Sequence, residues 1–177
     1  SNNTQLAIEN NVAPLIDVAN ILNFIQLARV NLRDALFATQ ANAPEEKILY
    51  YRNTYQGLAK QVDDLIAKVQ RRTLSAKASE YLKEGSAGWN DLKTVVGKIE
   101  RATIDRNFEL AIELMLTDCY AAAKVAVSGF NQFADQQQLE LKGSVENNIQ
   151  NINSFTMSAS IAALLTLTGC AVRGPTV

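Results

Sequence analysis

The chain has 177 residues, 47% of them hydrophobic, which fits one domain with a real core and excludes a disordered chain. Seventeen basic and eighteen acidic residues leave a formal charge of −1 without any basic block, so nucleic acid is not an expected partner. Histidine is absent, which removes the commonest general base and metal ligand and leaves both cysteines without a base to activate them. We therefore expect no enzyme and no metal or cofactor site, and we expect the cysteines to be buried as small apolar residues.

Three short segments interrupt a sequence that is otherwise compatible with helix. They lie at residues 41–44, 71–79 and 102–107, and in the third Thr103 or Asp105 can cap a new helix. The four segments between and beyond these breaks carry apolar residues at alternating spacings of three and four, and strand signals are missing. The pattern predicts an all-α fold, an antiparallel up-down four-helix bundle, whose fourth helix continues toward a transmembrane segment.

The first helix carries a cation in its predicted packing seam. Counting from Leu15 in steps of three and four places Arg29 at a position that should be apolar. A permanent cation in a packing seam needs a partner. That partner is either an acid of the bundle, such as Glu113 or Asp118, or an anion from outside the chain, and the sequence leaves both possibilities open.

Several polar residues are predicted to lie at one height in the bundle. Counting 1.5 Å per residue from the two turns at the same end of the bundle, at residues 41–45 and 103–106, places seven of them roughly 12 to 20 Å below that end. They are two arginines, three tyrosines, an asparagine and a threonine: Arg29, Arg33, Tyr51, Asn53, Tyr55, Thr117 and Tyr120. Guanidinium groups bind carboxylates in a bidentate manner and hydroxyls occupy the remaining lone pairs, so the set is typical of a carboxylate site. The alternatives are that Arg33 is a solvated neighbour of Asp34 and that the tyrosines are seam aromatics with hydroxyls at the rim.

Residues 154–172 contain no charged side chain and are nearly long enough to span a bilayer, which takes about 20 residues. We expect a transmembrane helix there, followed by a truncated tail at residues 173–177. The alternative is a hydrophobic tail packed in an oligomer, because serines and threonines weaken the hydropathy signal.

A long helical bundle that runs into a membrane span resembles the periplasmic ligand-binding domain of methyl-accepting chemotaxis proteins, in its four-helix-bundle form. The resemblance rests on LARVNLRDAL in the first helix, WNDLKTVVGKIERA in the third, and TIDRNFELAIELML at the start of the fourth. It covers residues 6 to about 153. It implies a sensory, ligand-binding domain at residues 1–153 in front of the span at 154–172.

The resemblance further implies an extracytoplasmic chemoreceptor sensor, a homodimer in the cell inner membrane that faces the periplasm. Such a domain signals by displacing the fourth helix through adjacent transmembrane helices to a cytoplasmic chemotaxis kinase complex. In the aspartate and serine receptors of this family, first-helix arginines bind the carboxylate across the dimer interface. Arg33 fits that region, but Phe37 stands where a further arginine is expected. The incomplete motif favours another small organic anion, a di- or tricarboxylate.

Two other functions compete with a chemoreceptor. One is a membrane-tethered structural bundle whose arginines are satisfied internally, and the other is a histidine-kinase sensor domain that does not bind this class of ligand.

Overall fold

The computed structural model describes residues 12–171, and for residue 156 and residues 158–171 it describes the backbone only. Every regular element in this part of the chain is a helix, which confirms the all-α class. The helices are α1 (Ala13–Gln40), α2 (Glu45–Gln70), α3 (Ala76–Ile104), α4 (Phe108–Leu116) and α5 (Asp118–Ala171). The first three connections fall at the three predicted breaks, and the fourth, between α4 and α5, does not.

Two polar side chains set the starts of α3 and α4. Ser75 and Asn107 each stand directly before the first helical residue, and each accepts a hydrogen bond of 3.2 Å from the backbone N–H three residues on. Both occupy the N-cap position, where such an oxygen satisfies an otherwise unpaired helix donor. The prediction that Thr103 or Asp105 caps the fourth segment is wrong, since Thr103 lies inside α3 and Asp105 follows its last residue.

The fourth predicted helix is interrupted at Thr117, where the backbone has φ −106° and ψ −82°. The Thr117 hydroxyl donates to the carbonyl of Glu113 at 2.8 Å, and the same carbonyl accepts the Thr117 backbone N–H at 2.9 Å. The same hydroxyl bond to the carbonyl four residues back occurs at Thr54, Thr94 and Thr103 inside uninterrupted helices, so the interruption is defined by the backbone angles at Thr117 and not by this bond alone. The predicted segment is therefore two consecutive helices, α4 and α5, rather than one.

The buried seam of α1 differs from the predicted one by single positions. Val18, Ile25 and Leu32 belong to both, but the intervening buried residues are Ile21 and Ala28. The small Ala28 fits between closely packed helices, whereas the longer side chain of Arg29 lies at the edge of the seam. The placement of Arg29 within the seam is therefore wrong by one residue.

A buried acid joins the start of α1 to the end of α2. Asp17 is only 4% exposed, and its two carboxylate oxygens accept from Lys68 at 2.8 Å and from Arg72 at 3.0 Å. A buried carboxylate is tolerated when it is paired and hydrogen-bonded, and here both oxygens are occupied.

Helices α3 and α5 approach each other at three glycines. A Cβ built on Gly88 would lie 2.4 Å from the backbone nitrogen of Ala126, and one on Gly129 would lie 2.3 Å from the backbone nitrogen of Gly85. Glycine lowers helix propensity, so its use here is explained by the backbone-to-backbone contact that it permits. The backbones of α3 and α5 are therefore in close contact at these glycines.

The chain divides into two compact units, Ser1–Gln138 and Leu139–Val177. The described part of the second unit is helical, and it exposes the large apolar side chains of Val145, Ile149 and Ile152. No helix among the described residues is both long enough and apolar enough to cross a membrane. Most of the predicted span at 154–172 lies outside the side chains that are described, and the tail at 173–177 lies outside the described residues, so both stay predictions.

Candidate functional site

Three of the predicted site residues meet in one groove. This feature, the outer groove, has a volume of about 270 Å³ and is formed by α1, α4 and the start of α5. Arg29, Arg33 and Tyr120 all line it. The complete lining is Gln26, Arg29, Val30, Leu32, Arg33, Met115, Leu116, Cys119 and Tyr120. Among the residues that the structure describes, this lining contains two cations and no acid.

Arg29 is a half-buried cation without an acidic partner. Its Nη1 donates to the side-chain oxygen of Gln26 at 3.1 Å, and its Nε is buried without a hydrogen-bond partner. Among the residues that the structure describes, no carboxylate forms an ion pair with it, and Glu113 and Asp118 are both exposed. Of the two possibilities that the sequence left open, the internal acid is therefore not observed.

Cys119 lies next to Arg29 and does not supply the missing negative charge. The residue is 2% exposed, as expected for a buried small apolar side chain. Burial raises the pKa of the Cys119 thiol, and the nearby Arg29 only partly opposes that shift. The thiol therefore stays protonated at neutral pH, and Arg29 keeps a charge that no neighbour neutralises.

Arg33 and Tyr120 are at the open side of the outer groove. Arg33 is about half exposed and pairs with the adjacent Asp34 at 3.1 Å, which is the solvated arrangement considered above. Exposed ion pairs contribute little free energy, so this contact leaves Arg33 available to a ligand. Tyr120 is 58% exposed and brings a phenol to the rim.

Tyr55 lies on the other side of Arg29. It is buried, and its hydroxyl donates to Glu100, whose carboxylate is also 3.6 Å from Arg52. Burial, followed by the hydrogen bond to Glu100, raises the pKa of the Tyr55 phenol. Tyr55 lines a second space of about 310 Å³ between α1, α2 and α3, here named the inner cavity, and Arg29 lines it too.

The remaining predicted site residues are not brought to the outer groove. The Tyr51 ring packs edge-on against Tyr50 with 5.5 Å between centroids, and Asn53 is exposed. The Thr117 hydroxyl is engaged with Glu113 in the helix break. Conversely, sequence reasoning missed Gln26, although its position three residues before Arg29 places it on the same helix face.

Among the described residues, no group of three histidine, cysteine, aspartate or glutamate side chains could hold a metal ion. No protein-family model, curated protein or solved structure matches the chain. A functional proposal therefore rests on the chemistry of the residues themselves.

Proposed function

We propose that this chain is the extracytoplasmic sensor domain of a chemoreceptor, a methyl-accepting chemotaxis protein, and that it binds a small organic anion rather than catalysing a reaction. The observation that supports this proposal is Arg29, a half-buried guanidinium in a groove without a single acid. An isolated charge is costly away from water, so a site that keeps one unpaired is suited to accept a counter-charge from outside.

The outer groove favours a di- or tricarboxylate. Arg29 and Arg33 are one helical turn apart and line the same groove, so each of the two guanidinium groups can bind one carboxylate of the ligand. Apolar Val30 and Leu116 complete the lining, and contact with them excludes water from the bound anion and strengthens the charge interaction. The lining holds no carboxylate to receive an amino group, which argues against an amino acid.

The fold supports an antiparallel up-down four-helix bundle in which α4 and α5 together form the fourth member. The start of α1 contacts the end of α2 through Asp17 and Lys68, and the first half of α2 contacts the end of α3 through Tyr55 and Glu100. Short connections between helices that pack side by side are typical of this architecture.

A homodimer is the proposed assembly. Val30, Leu116 and Tyr120 are between 41% and 71% exposed at the outer groove, where a second copy of the chain can cover them. In the second unit, Val145, Ile149 and Ile152 repeat the four-and-three spacing of a coiled-coil seam and are exposed.

Ligand binding is proposed to bias the position of α4 and α5 relative to α1, because the outer groove is formed by these three helices. A ligand shifts a conformational equilibrium only as far as it prefers one arrangement. The displacement would pass through adjacent transmembrane helices in the cell inner membrane, from the periplasm to a cytoplasmic chemotaxis kinase complex.

Titration calorimetry with succinate, citrate, aspartate and neutral glucose tests the proposal. We expect saturable binding of a di- or tricarboxylate and none of glucose. Arg33→Ala should weaken binding about tenfold, because it removes one charge-assisted contact. The matched control is Arg101→Ala, an exposed arginine that pairs with Asp105 at 3.1 Å outside the outer groove, and it should leave affinity unchanged. Absence of binding by every carboxylate would overturn the proposal.

Sedimentation at rising ligand concentration tests the homodimer. If the second copy contributes to the site, the ligand stabilises the dimer by mass action, and the dimer dissociation constant should fall as ligand is added. A dimer constant that is independent of a bound carboxylate would confine the site to one chain.

A further inference from the structure

The inner cavity combines an apolar wall with one anchoring cation. Ala28, Leu32 and Ala59 line it together with Leu92 and Val96, so most of its surface is hydrocarbon. Its volume of about 310 Å³ lies at the lower end of the range of small-molecule sites. A ligand that fits must therefore be small and largely apolar.

One wall of the inner cavity is the indole ring of Trp89. This side chain is only 4% exposed, and its Nε1 donates to Asp63 at 2.7 Å, so its polar atom is already satisfied. The Lys93 ammonium lies 5.8 Å from the ring centroid, so what remains for a ligand is the part of the ring that lines the cavity. Aromatic groups pack favourably against an indole in stacked or edge-on arrangements.

The charges that line the inner cavity are paired, with one exception. Lys93 donates to Asp63 at 2.7 Å, and Lys60 donates to Asp64 at 2.6 Å. Asp63 thus receives both an N–H and an ammonium group, which offsets its repulsion of an anion. Arg29 has no carboxylate partner among the described residues, and its buried Nε is unsatisfied.

We infer that the inner cavity is a second ligand site, contained within one copy of the chain, for a small aromatic carboxylate whose ring packs on Trp89 and whose anion binds Arg29. The site is distinct from the outer groove, since it is formed by α1, α2 and α3 and shares only Arg29 and Leu32 with it. Because the same arginine lines both spaces, ligands of the two sites compete for it.

Trp89 is the only tryptophan of the chain, so its fluorescence reports on the inner cavity. Titration with benzoate should change Trp89 emission saturably, whereas neutral benzyl alcohol of similar shape should bind about tenfold more weakly or less. Arg29→Ala should weaken benzoate binding about tenfold or more, and Arg33→Ala, in the outer groove only, should leave it unchanged.

Phenylalanine variants that fill the inner cavity test whether benzoate binds there. Ala59→Phe should abolish the benzoate response, and Val96→Phe provides a second filling variant if the first does not fold by circular dichroism. Ala134→Phe is the matched control, because Ala134 is also half-buried and does not line the cavity, and it should respond as the wild type does.

Benzoate binding that survives both filling variants would overturn the inference, as would the absence of any saturable response. Binding abolished by Arg33→Ala would do the same, because it would place the ligand in the outer groove. Citrate binding by calorimetry is read out independently, so the inner site can fail while the proposed function stands.

Discussion

Two charged residues of α1, Asp17 and Arg29, have opposite surroundings. Asp17 is almost fully buried, and its two oxygens are bound by Lys68 of α2 and by Arg72, two residues after the end of that helix. Arg29, three turns further along, is half-buried; it donates a hydrogen bond to the neutral side chain of Gln26 and lies near the Cys119 thiol. The carboxylate of Asp17 is neutralised within the fold and links two helices, whereas Arg29 has no carboxylate partner among the described residues.

The difference separates a structural charge from a functional one by its partners rather than by its burial. Neither residue could be classified from its position in the heptad pattern alone, because Asp17 is buried beside the seam residue Val18 and Arg29 lies at the edge of the seam. Asp17→Ala removes the paired acid, and Gln26→Glu gives Arg29 an acidic partner. Tyr55→Phe removes a hydroxyl that is already hydrogen-bonded within the fold.

Asp17→Ala should have the largest effect on stability. It removes two charge-assisted hydrogen bonds and leaves Lys68 and Arg72 without their shared carboxylate, which should cost about 3 kcal/mol of unfolding free energy. Chemical denaturation measures the loss. The matched control is Asp64→Ala, which removes an exposed ion pair with Lys60 and should produce no measurable change. Equal effects of the two variants would contradict the structural role of Asp17.

Gln26→Glu should make the Arg29 site resemble the Asp17 site. The new carboxylate would stand where the amide oxygen now accepts from Arg29 at 3.1 Å, so it would neutralise the guanidinium and repel an incoming anion. We expect carboxylate affinity in calorimetry to fall about tenfold, or about 1.4 kcal/mol, while stability rises by about 0.3 kcal/mol.

Gln61→Glu is the control for that change, since Gln61 is exposed on α2 and lines neither the outer groove nor the inner cavity. It should leave affinity unaltered. If Gln26→Glu binds citrate as tightly as the wild type, Arg29 is not the anion anchor.

Tyr55→Phe should have the smallest effect, a loss of about 1 kcal/mol from the hydrogen bond to Glu100. The pKa of the Tyr55 phenol is raised in the folded protein, so its stabilisation is complete below the unfolded value of about 10 and is lost as the pH rises above that value. The stability difference between wild type and variant should therefore shrink above pH 10. A difference that grows there would refute the assignment.

Much of the fold could be predicted from local signals. The breaks predicted at residues 41–44 and 71–79 contain Pro44 and Ser75, which stand directly before α2 and α3 and suit a helix start through the fixed φ of proline and the capping oxygen of serine. The break at Thr117 could not be predicted, because neither glycine nor proline is present and threonines that make the same hydroxyl bond, such as Thr54 and Thr103, lie inside uninterrupted helices.

The site was predicted in part. Arg29 and Arg33 share a groove because residues four apart lie on one helix face, a regularity that the sequence alone supplies. The distance of a residue from the turn does not determine which side of the bundle it faces. Tyr55 accordingly lines a different space, and Asn53 is exposed to solvent. The pairing of Asp17 with Lys68 joins residues 51 positions apart and has no local signal at all.

The most direct test of the central claim measures melting temperature and carboxylate affinity on Arg29→Ala and Asp17→Ala side by side. Arg29→Ala should keep or slightly raise the melting temperature and weaken binding by about 30- to 1,000-fold, or about 2 to 4 kcal/mol. Arg29→Lys should restore little of that affinity, because an ammonium group cannot reproduce the two-pronged contact. Asp17→Ala should melt earlier and bind as the wild type does. If Arg29→Ala instead loses stability and keeps its affinity, Arg29 is a structural charge and the account is wrong.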